Sequence, residues 1–263
     1  MESTKKWFHW LIPAAGGLLL LVWLVSTPPG LLGKADAIAY AVCHRIASHS
    51  FFLDDRQFPL CARCTGMYLG VLLGLGYSFR RGRLAGFPPL RLALVFAIFG
   101  LGFLVDGANS YANILQSTPL LYASTNWLRL LTGTLFGLGV GIYLASAFQQ
   151  STWKKFERQP ALSSFRQLGI LVVLGGALDA AILSGNPLLL YPLAALAVFG
   201  VLAMLSLAYS MFWTMVFKWS NSFETWRSLG FSLASGFSTT LFQVVLVDVA
   251  RFALTGTWAG FSI

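Results

Sequence analysis

LLLYPLAALAVFGVLAMLSLAYSMFWTMVF, residues 188–217, runs for 30 positions without a charged side chain. A helix needs about 20 mostly apolar residues to cross a bilayer core, so this stretch is long enough with several to spare. Pro192 near its start leaves two geometries open: the whole helix tilts, or its first turns lie outside the hydrocarbon. Runs of similar character occur at 10–26, 62–79, 90–106, 128–148, 167–184 and 229–248. The sequence therefore predicts about seven membrane spans.

Composition excludes the alternative. Apolar residues make up 57% of the 263 and charged residues 10%, against about 25% charged in a soluble domain. We expect an all-α, polytopic transmembrane bundle forming a single integral membrane domain over 1–263. Residues 35–145 carry the motifs, and 146–263 add further helices.

Charge orients the bundle. On these spans, alternate ends carry Lys5 and Lys6; Arg80, Arg81, Arg83 and Arg91; Lys154, Lys155, Arg158 and Arg166; Lys218 and Arg227. The opposite ends carry Lys34, Arg45, Arg56, Arg63, Arg129 and Arg251. Twelve against six places the first set, and the N-terminus, in the cytoplasm, because basic loops stay inside. The net charge of +9 reflects this bias. Its cations are spread over separate loops, so the implied partner is the lipid bilayer of the cell membrane and not nucleic acid. Lys5-Lys6 before an apolar run has the shape of a signal peptide, but no small-x-small site follows, and Trp7, Trp10 and Trp23 suit interfacial anchors. We read 10–26 as an uncleaved first span.

The chemistry lies in the first extracytoplasmic segment. Cys43-His44 and Cys61-Ala62-Arg63-Cys64 contain the only three cysteines of the chain. Leu32, Ile38, Ala39 and Val42 fall on one side of a short interfacial helix that would deliver Cys43 and His44 to the mouth of the bundle. Phe58-Pro59 is expected to end the loop and start the next helix, proline being tolerated in a first turn. A helix start favours thiolate through its free N–H groups and dipole, and Arg63 adds positive charge.

Thiolate serves two chemistries. Cys43, Cys61 and Cys64 supply three soft ligands and His44 or His49 a fourth, which is a tetrahedral zinc set whose C-x₂-C half has the usual spacing. With neither histidine bound, the open position would hold water, as in catalytic zinc sites. Alternatively, C-x₂-C facing an oxidising compartment is a redox dithiol with Cys43 as exchange partner. A structural disulfide with one spare thiol is the plainest alternative. The odd cysteine count and the neighbouring imidazole favour metal.

Three outward-running spans finish near an aspartate: Asp106, Asp179 and Asp248. A carboxylate at a helix C-terminus opposes the dipole, and near hydrocarbon it needs a partner. Arg63, Arg129 and Arg251 are candidates, with Asp248 and Arg251 three apart on one face. Asp106 begins a polar string with Asn109, Asn113 and Gln116. With Asn126 and Arg129 it forms a constellation suited to holding an anionic headgroup through Arg129 or relaying protons through Asp106. Asp179 and Asp248 fit more simply as groups that reach interfacial water or lock helices.

Thr65-Gly66-x₃-Gly70 opens the second span and Thr132-Gly133-x₃-Gly137 the fourth, each followed by a basic turn and a return helix. This predicts two hairpins related by an axis along the membrane normal. Gly66, Gly70 and Gly74, with Gly133, Gly137 and Gly141, would permit close helix contact.

Cys43-His44-Arg45, His49-Ser50-Phe51 and Pro59-Leu60-Cys61-Ala62-Arg63-Cys64-Thr65-Gly66-Met67-Tyr68-Leu69-Gly70, with Asp106-Gly107 and Asn126-x₂-Arg129-x₂-Thr132-Gly133, resemble the signature of a prokaryotic family of predicted membrane proteins of unknown function. The resemblance covers about residues 35–145. It implies membrane location and groups these polar residues as one site, without supplying a reaction. Asp54-Asp55 stands where that pattern has glycines.

The leading expectation is a membrane protein with an extracytoplasmic Cys/His metal site, zinc by its donors, beside a pocket of Asp106, Asn126, Arg129 and Arg63. That site is structural, or catalytic on a substrate at the lipid interface. A membrane thiol–disulfide oxidoreductase is the alternative, against which stands the lack of a second cysteine pair. A transporter ranks last, because the aspartates lie towards span ends and not at the midplane.

Overall fold

The computed structural model describes residues 3–53, 55–116 and 121–259, with side chains from Trp10 onward and that of Gln116 excepted. Among the described residues the chain is a helical bundle: α1 (Ser3–Ser26), α2 (Gly30–Val42), α3 (Ala62–Arg80), α4 (Leu90–Gln116), α5 (Asn126–Thr152), α6 (Phe165–Leu183), α7 (Pro187–Val216) and α8 (Gly230–Thr255). All seven expected stretches are helical. Helices α4 to α8 are each long and apolar enough to cross a membrane, and α1 with α2 forms a further candidate bent by 114°. The short helix expected before Cys43 is thus α2, turned sharply away from α1. Of the four residues expected on its apolar side, Ile38 and Ala39 are buried and Leu32 and Val42 only partly so, while Ala35, Ala37 and Tyr40 are buried as well, so α2 packs into the bundle on more than one side. The burial follows from packing against α7 and α8 as well as the hairpin described below.

Helix α3 is not among the apolar set. It carries Arg63 and Thr65 in its first turns and glycines along its length. It tolerates this because it lies against α5, whose Leu130, Leu138, Ile142, Ala145 and Phe148 are almost wholly buried. A helix surrounded by helices does not have to be dissolved by lipid.

The two central helices run parallel. A Cβ on Gly66, Gly70 or Gly74 would strike the backbone of Leu130, Thr134 and Leu138; one on Gly133, Gly137 or Gly141 would strike Arg63, Met67 and Val71. Every contact has a counterpart 67 residues on, as Gly66 to Gly133 and Arg63 to Leu130. The helices are therefore related by a local two-fold along their common direction, and bare glycine Cα atoms let the backbones touch. The relation extends beyond them. Strand β3 (Leu84–Gly86) follows α3, and β4 (Glu157–Pro160) follows α5. The two strands pair in parallel, Leu84 opposite Glu157. That separation of 73 residues also relates Asp106 on α4 to Asp179 on α6, so the second hairpin holds six more residues in its turn. The two-fold is carried by α3 with α5 and by β3 with β4; α5 also packs against α6.

Helix ends follow local chemistry. Ser164 and Gln167 form a capping box at the start of α6. Asn186 caps α7 with Pro187 in its first turn, which places Pro192 inside the helix. Gly256 ends α8 with φ +66°, a left-handed value that glycine adopts freely.

Two expectations are corrected. Pro59 does not open a helix: Phe58 and Pro59 lie in β2 (Arg56–Cys61), which pairs antiparallel with β1 (Ser50–Leu53). Asp55 sits in the turn between them, and Asp54 lies outside the described residues. Nor do the aspartates terminate their helices. Helix α4 continues past Asp106 to Gln116, α6 past Asp179 to Leu183 and α8 past Asp248 to Thr255. Beyond Asp106, α4 goes on because the polar side chains on its inner face, Asn109 and Ser110, find buried partners.

Two ends of the bundle are distinct. At one, Lys154 pairs with Glu224 and Arg83 donates to the Glu224 carbonyl, gathering the basic turns after α3, α5 and α7. At the other lie the cysteines.

Candidate functional site

Helix α2 ends at Val42 and the chain leaves it extended through Cys43. Arg45 then takes a left-handed φ of +53°, turning the chain into a single helical turn, Ala47–His49. Hydrogen bonds fix this loop. Gln57 Nε2 donates to the Arg45 carbonyl and to Ser50 Oγ at 2.8 Å each, and Ser50 Oγ donates to the Ile46 carbonyl. Asp36 on α2 accepts from both Arg45, at 2.9 Å, and Arg56. From α8, Arg251 Nη1 donates to the carbonyls of Tyr40 and Cys43, both at 2.7 Å, and Nη2 to that of His44. The Tyr40 carbonyl lies in the last turn of α2, where a helix leaves its carbonyls without intrahelical partners.

The result is a sulfur triangle. Cys43 meets Cys61 and Cys64, all three as free thiols, with sulfurs within 4.8 Å of one another. Cys61 precedes the first turn of α3 and Cys64 lies within it. Cys43 Sγ accepts from the backbone N–H of Cys61 at 3.3 Å and of Arg45 at 3.5 Å. Hydrogen bonds from the thiols of Cys61 and Cys64 outweigh burial and hold the Cys43 thiol well below its usual range. The hydrogen bond to Cys43, with burial, pushes the Cys61 thiol up.

The histidines are unequal. His44 Nδ1 is 3.8 Å from Cys43 Sγ. His49 lies one ring further away, its centroid 5.9 Å from that of His44 in an edge-on arrangement. Burial first, then the charge of Arg129, pushes His49 down to about 4, so its ring is neutral at neutral pH. In a tetrahedral zinc site with Zn–S near 2.3 Å, sulfurs stand about 3.8 Å apart. The three sulfurs lie within 4.8 Å of one another without either histidine in that group, and of the two imidazoles it is His44 that stands beside Cys43.

Beside the sulfurs lies a charged network. Arg63 donates from Nε to Asp106 Oδ2 at 3.1 Å, from Nη2 to the same oxygen, and from Nη2 to Ser110 Oγ at 2.8 Å. Tyr122 and Ser124 donate to Asp106 Oδ1 at 2.9 and 3.2 Å. Burial and this bond to Asp106 raise the Tyr122 phenol above its ordinary range. Arg129 donates to Ser110 Oγ at 3.3 Å and to Asn126 Oδ1 at 2.7 Å. Asn126 Nδ2 reaches the carbonyls of Ser48 and Ser50. Asn109 binds Tyr122 and Leu121 main chain. Of the two guanidiniums, Arg63 alone binds the carboxylate, and Ser110 links it to Arg129. A cavity of about 480 Å³ lies against this network, bounded by His44, His49, Arg63, Ser110, Tyr111 and Ile114 among others.

Residues 43–143, which contain the whole of this cluster except Asp36 and Arg251, match a family described as predicted membrane protein, DUF2085. An uncharacterised protein of Methanocaldococcus jannaschii is 32% identical over 123 residues, 46% of this chain and 72% of that relative. The chain belongs to this family. An uncharacterised protein of Methanothermobacter thermautotrophicus is similar too, 30% identical over 101 residues, 38% of this chain and 82% of that relative. No solved structure matches. Membership agrees with the several apolar helices in making the DUF2085 chain a membrane protein.

Within this family member, Cys43, Cys61 and Cys64 come together, His44 lies beside Cys43 alone, and Arg63, Asp106, Asn126 and Arg129 form one hydrogen-bonded group. The remaining acids do not join it. Asp179 accepts from Thr134 Oγ1 at 2.7 Å, linking α6 to α5. Asp248 accepts from Trp23 Nε1 at 3.3 Å, linking α8 to α1. Gln116 lies outside the described side chains. Ser110, Tyr122 and Ser124 escaped notice in the sequence, although Ser110 stands one helical turn after Asp106. Asp36 gave no local signal at all.

Proposed function

We propose that Cys43, Cys61 and Cys64 hold a zinc ion on the extracytoplasmic side of the cell membrane, with His44 as the fourth donor. The convergence of three thiols from sequence positions 18 apart carries this reading. A bound zinc ion would supply Lewis acidity and fix the loop that walls the cavity. Around it, Arg63 and Arg129 provide positive charge, Asp106 orients Arg63, and Asn126 ties Arg129 to the loop. These four would serve as the working groups for a substrate arriving from the lipid interface. The positive-inside bias of the basic turns supports the sidedness.

Metal analysis of reduced, detergent-purified protein tests the reading. About one zinc per chain is expected, falling to background in Cys43→Ser, Cys61→Ser and Cys64→Ser. Wild-type protein with no bound transition metal sinks it. Impermeant thiol labelling of whole cells after chelation tests the side: modification of Cys64 only in inverted vesicles would overturn the extracytoplasmic placement.

Thiol–disulfide exchange is the second reading, favoured by one observation: Cys43 Sγ accepts from two backbone N–H groups, which favours its thiolate, beside two further free thiols. Here Cys43 thiolate would attack a partner disulfide, release one partner thiolate and form a mixed disulfide. Cys61 or Cys64 would then displace the second partner thiolate and close an internal disulfide. Cys61→Ser/Cys64→Ser protein should trap the mixed species on Cys43, and its absence with every disulfide offered would remove this reading.

A further inference from the structure

The cavity beside the sulfur triangle sits at a boundary. On one side α4 presents Leu104, Tyr111 and Leu115 outward, all largely exposed, the face that meets lipid in a membrane helix. On the other side the same helix turns Asp106, Asn109 and Ser110 inward, all almost fully buried. Gly107, Ser110, Tyr111 and Ile114 occupy the seam between these faces and line the cavity, with His44, His49 and Arg63 opposite. One wall is therefore apolar and continuous with the lipid surface. The other offers a guanidinium and two imidazoles.

The charge of the polar wall is one-sided. Arg63 and Arg129 flank Ser110, and Asp106 is the single carboxylate hydrogen-bonded within this group. Asp106 is already saturated by Arg63, Tyr122 and Ser124. Arg63 also lies over the Phe103 ring, 5.9 Å from its centroid, so its position is held from both sides. Arg129 stands behind Ser110, bound to Asn126, which moves the anion-facing role expected of it onto Arg63. One guanidinium charge is left without a matching carboxylate in the group, beside an opening with hydrogen-bond donors and an apolar flank.

The geometry points to a binding site for an anionic amphiphile: a phosphate-type headgroup received by Arg63 and the imidazoles of His44 and His49, with its hydrocarbon chain laid along Tyr111 and Ile114 towards the lipid face of α4. This names the substrate class for the site proposed above and rests on that reading for any chemistry, though not for binding.

Gly107 supplies the test. A Cβ there meets only Arg63 Nη1, at an ordinary 3.8 Å, so Gly107→Leu fills the cavity without displacing backbone. Gly102, on the same helix with nothing within 4 Å of a Cβ, gives Gly102→Leu as control. Full-length protein in dodecyl maltoside would be titrated calorimetrically with dodecyl phosphate, inorganic phosphate and dodecyltrimethylammonium. Dodecyl phosphate should bind wild type and Gly102→Leu alike and bind Gly107→Leu at least tenfold more weakly. Inorganic phosphate should bind at least tenfold more weakly than dodecyl phosphate. Equal affinity for the two phosphates would overturn the amphiphile in favour of a soluble anion. Equal binding of dodecyltrimethylammonium, no loss in Gly107→Leu, or no binding by wild type would overturn the site. Zinc measured on the same samples separates the two readings: metal retained without dodecyl phosphate binding sinks this inference alone, and binding without metal sinks the zinc centre alone.

Discussion

Arg251 holds the main-chain carbonyl of Cys43 at 2.7 Å, so the last helix of the bundle positions the residue that completes the sulfur triangle. The same guanidinium lies over the Tyr40 ring, 3.9 Å from its centroid, and reaches the Tyr40 and His44 carbonyls. Helix α8 lies beyond residues 43–143, the segment shared with the family model. The site therefore leans on a part of the chain outside its motif.

Arg251→Met should keep the apolar stem and lose these bonds. Outer-shell partners of metal ligands typically change affinity by about 10–100-fold. Competition with a chromophoric chelator should show a loss in that range, with α-helix content unchanged. Unaltered zinc affinity would mean that the Cys43 turn is held without Arg251.

His44 and His49 should separate spectroscopically. Cobalt-loaded wild type is expected to show thiolate-to-metal charge transfer with tetrahedral d–d bands. His44→Gln should shift the d–d bands and His49→Gln should leave them in place, because only His44 is near Cys43 Sγ. The opposite pattern would make His49 the ligand.

Breaking the Arg63–Asp106 pair on one side should cost more than removing both ends. Asp106→Asn leaves two guanidiniums facing each other across Ser110, and loss of one member of a buried pair costs about 3–5 kcal/mol. Arg63→Met/Asp106→Leu should be milder than either single substitution. Thermal stability in detergent across the double-mutant cycle reads the coupling, and additive losses would show that the pair is not coupled.

Gly137 and Gly76 should respond oppositely to alanine. A Cβ on Gly137 would strike the Met67 backbone, whereas one on Gly76 meets nothing within 4 Å. Overpacking costs about 1–3 kcal/mol, while alanine in an open helix position gains up to about 1 kcal/mol over glycine. Unfolding temperature should fall for Gly137→Ala and hold or rise for Gly76→Ala. Equal responses would remove the close α3–α5 contact as a source of stability.

Much of this was legible in the chain itself. Uninterrupted apolar runs located the helices, since no other backbone arrangement satisfies its own N–H and C=O groups in lipid. The glycine spacing that begins at Gly66 and repeats at Gly133 announced the paired hairpins, because only close backbone approach demands glycine every fourth residue. Cysteine and histidine spacing marked the site. What misled was taking the end of hydrophobicity for the end of a helix. Helix α4 runs on beyond Asp106 because Asn109 and Ser110 find buried partners that arise from distant segments.

Hydropathy and residue type, then, determined a membrane bundle with a thiol-bearing rim, as these follow from how each short stretch is solvated. Only the tertiary structure decided that Cys43 reaches Cys61 and Cys64, that Arg63 and not Arg129 lines the cavity, and that Arg251 pins the turn. Such pairings span tens to hundreds of residues, and their geometry is set by how whole helices pack, for which no local pattern carries a signal.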